Sequence, residues 1–250
     1  MSLDGQKYGA YKRTKGIYQF KQFQLSIDHV QVDPFAPPSK MRVIMSRQKA
    51  GIPETLLDSK LKRVAISDYL TRVFHQSIQK AIYGDKNIGG IYIDHCGPEI
   101  IKRTSVVISD KHIEARIEVG LPAKGRTILG KVAAYTLSKV LPNIVEHSLR
   151  YQHLNQSRMH QQVELMVDQE DIRHQLAERH LVAFVANGSI LPRQSGVSDR
   201  PMAQAIAFQS PPQFEIEFKL PSGKLMKGMG IPEGITLIVV GGYHGKSTLL

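Results

Sequence analysis

The stretch that most constrains this chain runs Glu233-Gly-Ile-Thr-Leu-Ile-Val-Val-Gly-Gly-Tyr-His-Gly-Lys-Ser-Thr-Leu249. Ile235 to Val240 is a β-branched and leucine run, short enough for a strand buried on both faces. It leads into a glycine turn, Gly241, Gly242, Tyr243, His244 and Gly245, and then into Lys246, Ser247 and Thr248 ahead of Leu249 and Leu250. Strand, glycine loop, Lys-Ser and helix, in that order, is the layout of a phosphate-binding loop. Glycines let successive backbone N–H groups turn inward around phosphate oxygens, and the helix start adds unpaired N–H groups. In such a loop Lys246 reaches the β- and γ-phosphates, Ser247 offers its hydroxyl to Mg²⁺, and Thr248 bonds the α-phosphate side. The full pattern asks for glycine five residues before Gly245, where this chain has Val240.

The run from Gly228 through this loop to Leu250 resembles the bacterial family described as predicted ATPases of the ABC class. So do the blocks Val182 to Asp199, with its Ala-Asn-Gly-Ser-Ile-Leu-Pro-Arg core, and Ile27 to Ser39. The resemblance implies an α/β fold: an α+β N-terminal domain over residues 1–165, then the opening part of a P-loop ATPase domain over 166–250. It implies ATP and Mg²⁺ as cofactors, Lys246 as the catalytic cation, and a homodimer as the assembly that completes such a site. Family members look much longer, so the sequence reads as an N-terminal portion, without the acidic strand that would hold Mg²⁺. On that reading it is expected to bind nucleotide without turning it over.

A net charge of +11, from 33 basic and 22 acidic residues, suits an anionic partner or balances an acidic segment elsewhere. Cys96 is the single cysteine, which removes any intrachain disulfide and fits a cytoplasmic protein. The first residues are polar, and no apolar run is long enough to span a membrane, so no membrane partner is expected.

Residues 1–25 interleave aromatics with bases. The pattern fits a clamp for single-stranded nucleic acid, RNA above all. It equally fits packing of an early helix and strand, and packing is expected for most of the aromatics. Lys12, Arg13 and Lys15 remain candidate phosphate contacts. Lys124 and Arg126 join them from a second glycine-rich loop, Gly120 to Arg126, ahead of a helix.

Strands are expected at Gln24 to Val30, Met41 to Met45, Ile91 to Ile93, Thr104 to Ser109 and His112 to Val119. Helices are expected over Ser67 to Ile82, Ile128 to Leu141, Asn143 to about Leu154, and Asp168 to Arg179, with Pro142 as a break. A strand at Leu181 to Val185 is followed by a polar loop through Arg193 and Arg200 that either approaches a nucleotide or a partner subunit or is an ordinary surface loop. A hairpin turning at Pro221 to Lys224 comes next. Asp28, His29 and Asp33 read as satisfied polar residues rather than a metal site, since alternation puts Asp28 and His29 on opposite faces, and Asp94, His95 and Cys96 read as a loop after a strand, since no partner spacing supports catalysis.

Overall fold

Alternation of apolar and polar residues early in the chain builds one antiparallel sheet. The computed structural model describes residues 3–84, 89–239 and 246–249. They fall into two compact units, residues 1–163 and 164–250.

In the first unit a 3-10 helix (Tyr8–Thr14) precedes β1 (Gly16–Gln19), β2 (Gln24–His29) and β3 (Ser39–Ser46). Then come a single turn, α1 (Arg47–Ala50), the long α2 (Lys60–Gly84), β4 (Ile91–Tyr92), β5 (Val106–Ile108) and β6 (His112–Val119). The sheet order is β1-β2-β3-β6-β4, with β5 also on β6, and every pairing is antiparallel. Period-two burial is clearest in β3, where Ser39, Met41, Val43 and Met45 point inward and Lys40 and Ser46 outward. Ile113, Ala115, Ile117 and Val119 of β6 are buried as well. α2 packs against β4 and β5, and Ala65, Ile66, Leu70, Phe74 and Ile78 are its buried apolar residues. It begins at Lys60, ahead of the expected Ser67.

Asp68 of α2 is fully buried. It accepts hydrogen bonds from Arg72 Nε at 2.7 Å, Arg103 Nε at 3.2 Å and Gln162 Nε2 at 3.0 Å. A buried carboxylate is tolerable only with partners of this kind. The proline-rich turn after β2 is held by Gln31, whose Nε2 donates to Ala36 O at 2.8 Å while its Oε1 accepts from Leu121 N at 3.1 Å.

A small hairpin, β7 (Ala123–Lys124) and β8 (Thr127–Ile128), leads into α3 (Gly130–Tyr135). The expected break at Pro142 does not occur. α3 passes through a π-helical turn (Thr136–Val140) straight into α4 (Leu141–Leu149). Proline has no N–H to donate and crowds the carbonyl four residues back, so a wider turn just before it lets the helix continue. α4 ends at Leu149, short of the expected Leu154, because Arg150 is extended (φ −98°, ψ 119°). α5 (Gln156–Glu178) starts well before the expected Asp168. Asn155 caps it by accepting from Arg158 N at 3.0 Å.

The second unit is built on a three-stranded antiparallel sheet of order β12-β13-β9. β9 (Leu181–Ala186) comes first, then the exposed hairpin β10 (Arg193–Ser195) and β11 (Ser198–Pro201). β12 (Glu215–Lys219) and β13 (Leu225–Pro232) form the expected hairpin, with Gly223 at φ 83° in its turn. Phe218 is fully buried, edge-on to Phe184 at 4.8 Å, with the Arg179 guanidinium 4.3 Å from its ring centre. Asp168 of α5 accepts from Ser222 N at 3.1 Å and Ser222 Oγ at 2.7 Å, which ties the helix to the hairpin turn.

The last segments correct an expectation. Ile235 to Val239 form no strand, and Ile235, Leu237 and Val239 are 95%, 81% and 85% exposed. A two-faced buried strand needs a ladder on at least one edge, and no described strand pairs with this run. Val240 lies outside the described residues. α6 (Lys246–Leu249) closes the described chain.

Candidate functional site

The three-stranded sheet delivers the chain to the phosphate-loop sequence. β13 ends beside the start of β9, where Glu233 N donates to His180 O at 2.9 Å. His180 has φ 55°, a left-handed conformation that lets β9 leave α5 sharply. Gly234 has φ 102°, which only glycine adopts without strain, and turns the chain out of the sheet toward Ile235.

Gly241, Gly242, Tyr243, His244 and Gly245 lie outside the described residues. Among the described residues Lys246 and Ser247 lie in the short helix α6, and the glycine-loop pattern calls for a helix after the loop. Thr248 is exposed.

Side chains beside this sheet are engaged with one another. Glu215 Oε2 accepts from Asn187 Nδ2 at 2.9 Å and from Ser210 Oγ at 2.9 Å, and Ser210 N donates to Asn187 Oδ1 at 2.7 Å. The hydrogen bonds from Ser210 and then Asn187 hold the Glu215 carboxyl below its ordinary range. Asn187 is thus a clamp between β9 and β12. Arg193 lies 3.4 Å from Asp199 across the β10–β11 hairpin, and Arg200 is exposed.

In the first unit Lys12, Arg13, Lys15, Lys124 and Arg126 are all exposed, and the fold brings their two segments together. Tyr8 N donates to Arg126 O at 2.9 Å, Lys7 bridges Thr127, and the Tyr8 and Tyr11 hydroxyls donate to Leu121 O and Pro122 O at 3.0 and 2.8 Å. Burial, then the charge of Asp33, pushes the Tyr8 phenol up to about 12, and burial raises Tyr11 further. Both therefore stay neutral donors. Tyr8, Tyr11 and Phe23 are core residues, as expected, while Tyr18 is 42% exposed. Arg126 is 3.7 Å from Asp33.

The two clusters set aside from the sequence have other partners or surroundings. Asp28 pairs with Arg42 at 2.7 Å and accepts from Ser26 Oγ at 2.7 Å. Cys96 is buried, and burial followed by the Asp68 charge raises its thiol pKa, which disfavours the nucleophilic thiolate. His75 is half-buried with its ring 4.9 Å from that of His95. Burial, then the neighbouring His95, lowers its pKa. No helix among the described residues is long and apolar enough to cross a membrane.

Two family models cover almost all of this sequence. The N-terminal model of ATPases of the ABC class matches residues 1–152. The P-loop domain model of the ABC ATPases matches residues 155–250, which include the whole glycine-loop sequence. No functionally curated protein matches the chain.

Proposed function

The chain belongs to the family of ATPases of the ABC class, and we propose that it binds ATP with Mg²⁺ on residues Gly241 to Thr248. The observation that carries this reading is the P-loop domain match over 155–250, on a sequence that holds Gly245, Lys246, Ser247 and Thr248 in the required order. The helix over Lys246–Leu249 supports it. Backbone N–H groups of the glycine turn surround the phosphates, and the Lys246 ammonium neutralises charge on the β- and γ-phosphate oxygens. Ser247 supplies a hydroxyl ligand to Mg²⁺, which when bound screens the same phosphate charge. Thr248 reaches the α-phosphate side. The single cysteine supports a cytoplasmic setting, and the homodimer is proposed on the family likeness alone. Calorimetric titration of ATP with Mg²⁺ tests the assignment: Lys246→Ala should weaken binding by at least about ten-fold. Unchanged affinity would remove Lys246 from the site.

A second reading rests on a different observation, the joining of the 3-10 helix and the β7–β8 hairpin with their bases in solvent. Such a surface suits a nucleic-acid backbone, RNA included. Binding of a labelled single-stranded RNA should then fall steeply with salt and weaken when Lys12, Arg13, Lys124 and Arg126 become glutamine. It should be indifferent to Lys246→Ala. The opposite dependence would discard this reading.

A further inference from the structure

The first unit carries a groove of about 1030 Å³ between α2, the π turn with α4, and the start of α5. Buried Tyr69, Ile144 and Leu154 lie along its lining, and no aspartate or glutamate does. Lys80, Lys139 and Arg158 line it from the three helical segments, and among the described residues none of them has a carboxylate partner. Arg72, also in the lining, is already committed to Asp68 and to the carbonyls of Gly97 and Glu99. Glu146, one turn along α4, is likewise taken by Arg150 and by His153 Nε2.

Three unpaired cations around one concavity repel one another, and the low-dielectric floor focuses their field into the groove. Such an arrangement is stabilised by a multivalent anion. Lysine supplies point charges to phosphate, and arginine a planar pair of donors. Tyr135 and Asn143, spaced four residues either side of Lys139, add an aromatic ring and an amide on the same helix face. The volume matches that of pockets for molecules of nucleotide size. All three cations line this one groove, whereas a long polyanion calls for an extended track of charge. We propose that this groove binds a small phosphorylated molecule of nucleotide size, as an anion site separate from the phosphate loop of residues 241–248.

The test uses inorganic tripolyphosphate, titrated calorimetrically into the full chain carrying Lys246→Ala, which disables the phosphate loop. Binding should persist there and weaken by at least about ten-fold when Lys139→Gln and Arg158→Gln are added. Lys60→Gln, an exposed charge elsewhere on α2, should leave it unchanged. Circular dichroism of the same samples checks that these exposed substitutions keep the fold. Loss of binding with Lys246→Ala alone, or equal weakening by Lys60→Gln, would overturn the proposal. So would a single-stranded RNA that binds with the same dependence on Lys139 and Arg158 and is not displaced by tripolyphosphate; the groove would then belong to a nucleic acid.

Discussion

Gly228 faces Ala186 across the β13–β9 ladder, and a Cβ built on it would stand 2.7 Å from the Ala186 Cα and against the Val185 carbonyl. Both neighbours are backbone, so neither can rotate away. Gly228→Ala must therefore push the strands apart, at a cost of about 1–3 kcal/mol. For a chain of this size that is a fall of about 2–12 °C in thermal midpoint, readable by calorimetry. Val240 poses the converse question. Entry into a phosphate loop requires N–H groups to swing toward phosphate, and a β-branched residue narrows the φ/ψ available for that swing. Val240→Gly should tighten ATP·Mg²⁺ binding in titration, despite an unfolded-chain penalty of about 0.5–1 kcal/mol on stability. Unchanged or weaker affinity would mean that Gly241 and Gly242 already give the loop its shape.

At the scale of the element, the β2–β3–β6 ladder carries a charge problem and its solution. Arg42 and Arg116 are direct cross-strand partners, a destabilising pair by themselves. Glu114 bridges them, 3.2 Å from Arg42 and 2.8 Å from Arg116, and Asp28 holds the far side of Arg42. Burial raises the Glu114 pKa, but the hydrogen bonds from Arg116 and Arg42 outweigh it and leave the carboxyl below its ordinary value. The Arg42 hydrogen bond lowers Asp28 likewise. A carboxylate whose folded pKa is depressed contributes stability that is present above its unfolded pKa, about 4, and lost as pH falls through the folded value. Thermal melts should therefore drop as pH is lowered below about 4. Glu114→Gln should cost about 1–2 kcal/mol at neutral pH, a figure discounted because both arginines are substantially exposed, and should flatten that acid dependence. An unaltered acid profile would show that Glu114 does not carry the linkage.

Elements such as these were legible because β3 and the second half of β6 alternate cleanly and the hairpins turn on recognisable residues. The helix boundaries were less so. Met159, Val163 and Met166 are spaced for one buried face of α5 and mark its true start, but polar neighbours dilute the pattern. Pro142 reads as a break because local rules cannot show that the preceding turn will widen. The groove was half visible: Tyr135, Lys139, Asn143 and His147 repeat every four residues, yet nothing in that repeat shows that α2 and α5 complete a cavity with it. Membership of a P-loop domain was readable from residue order alone, whereas the exposed run Ile235 to Val239 was not, because a buried strand depends on neighbours that its own sequence cannot specify.

Across the whole molecule the two units differ in how much they bury. The core of residues 1–163 draws on most of its helices and on the strands of the large sheet, whereas among the described residues of 164–250 the buried apolar side chains are Met166, Phe218 and Leu220. Local opening free energy follows buried apolar contact, so the second unit should open more readily than the first. Hydrogen exchange read by mass spectrometry should show amides of β9, β12 and β13 exchanging before those of β3 and β6. ATP then provides a second lever. A ligand that binds only the folded state stabilises it by about 2.7 kcal/mol at one hundred times its dissociation constant. If the nucleotide sits on residues 241–248, that protection should appear in the peptides of 164–250. It should reach the first unit only to the extent that the two units unfold together. Protection confined to peptides of α2 and α4 would instead place the nucleotide in the groove, and equal exchange of the two sheets without ligand would refute the difference in stability from which the experiment starts.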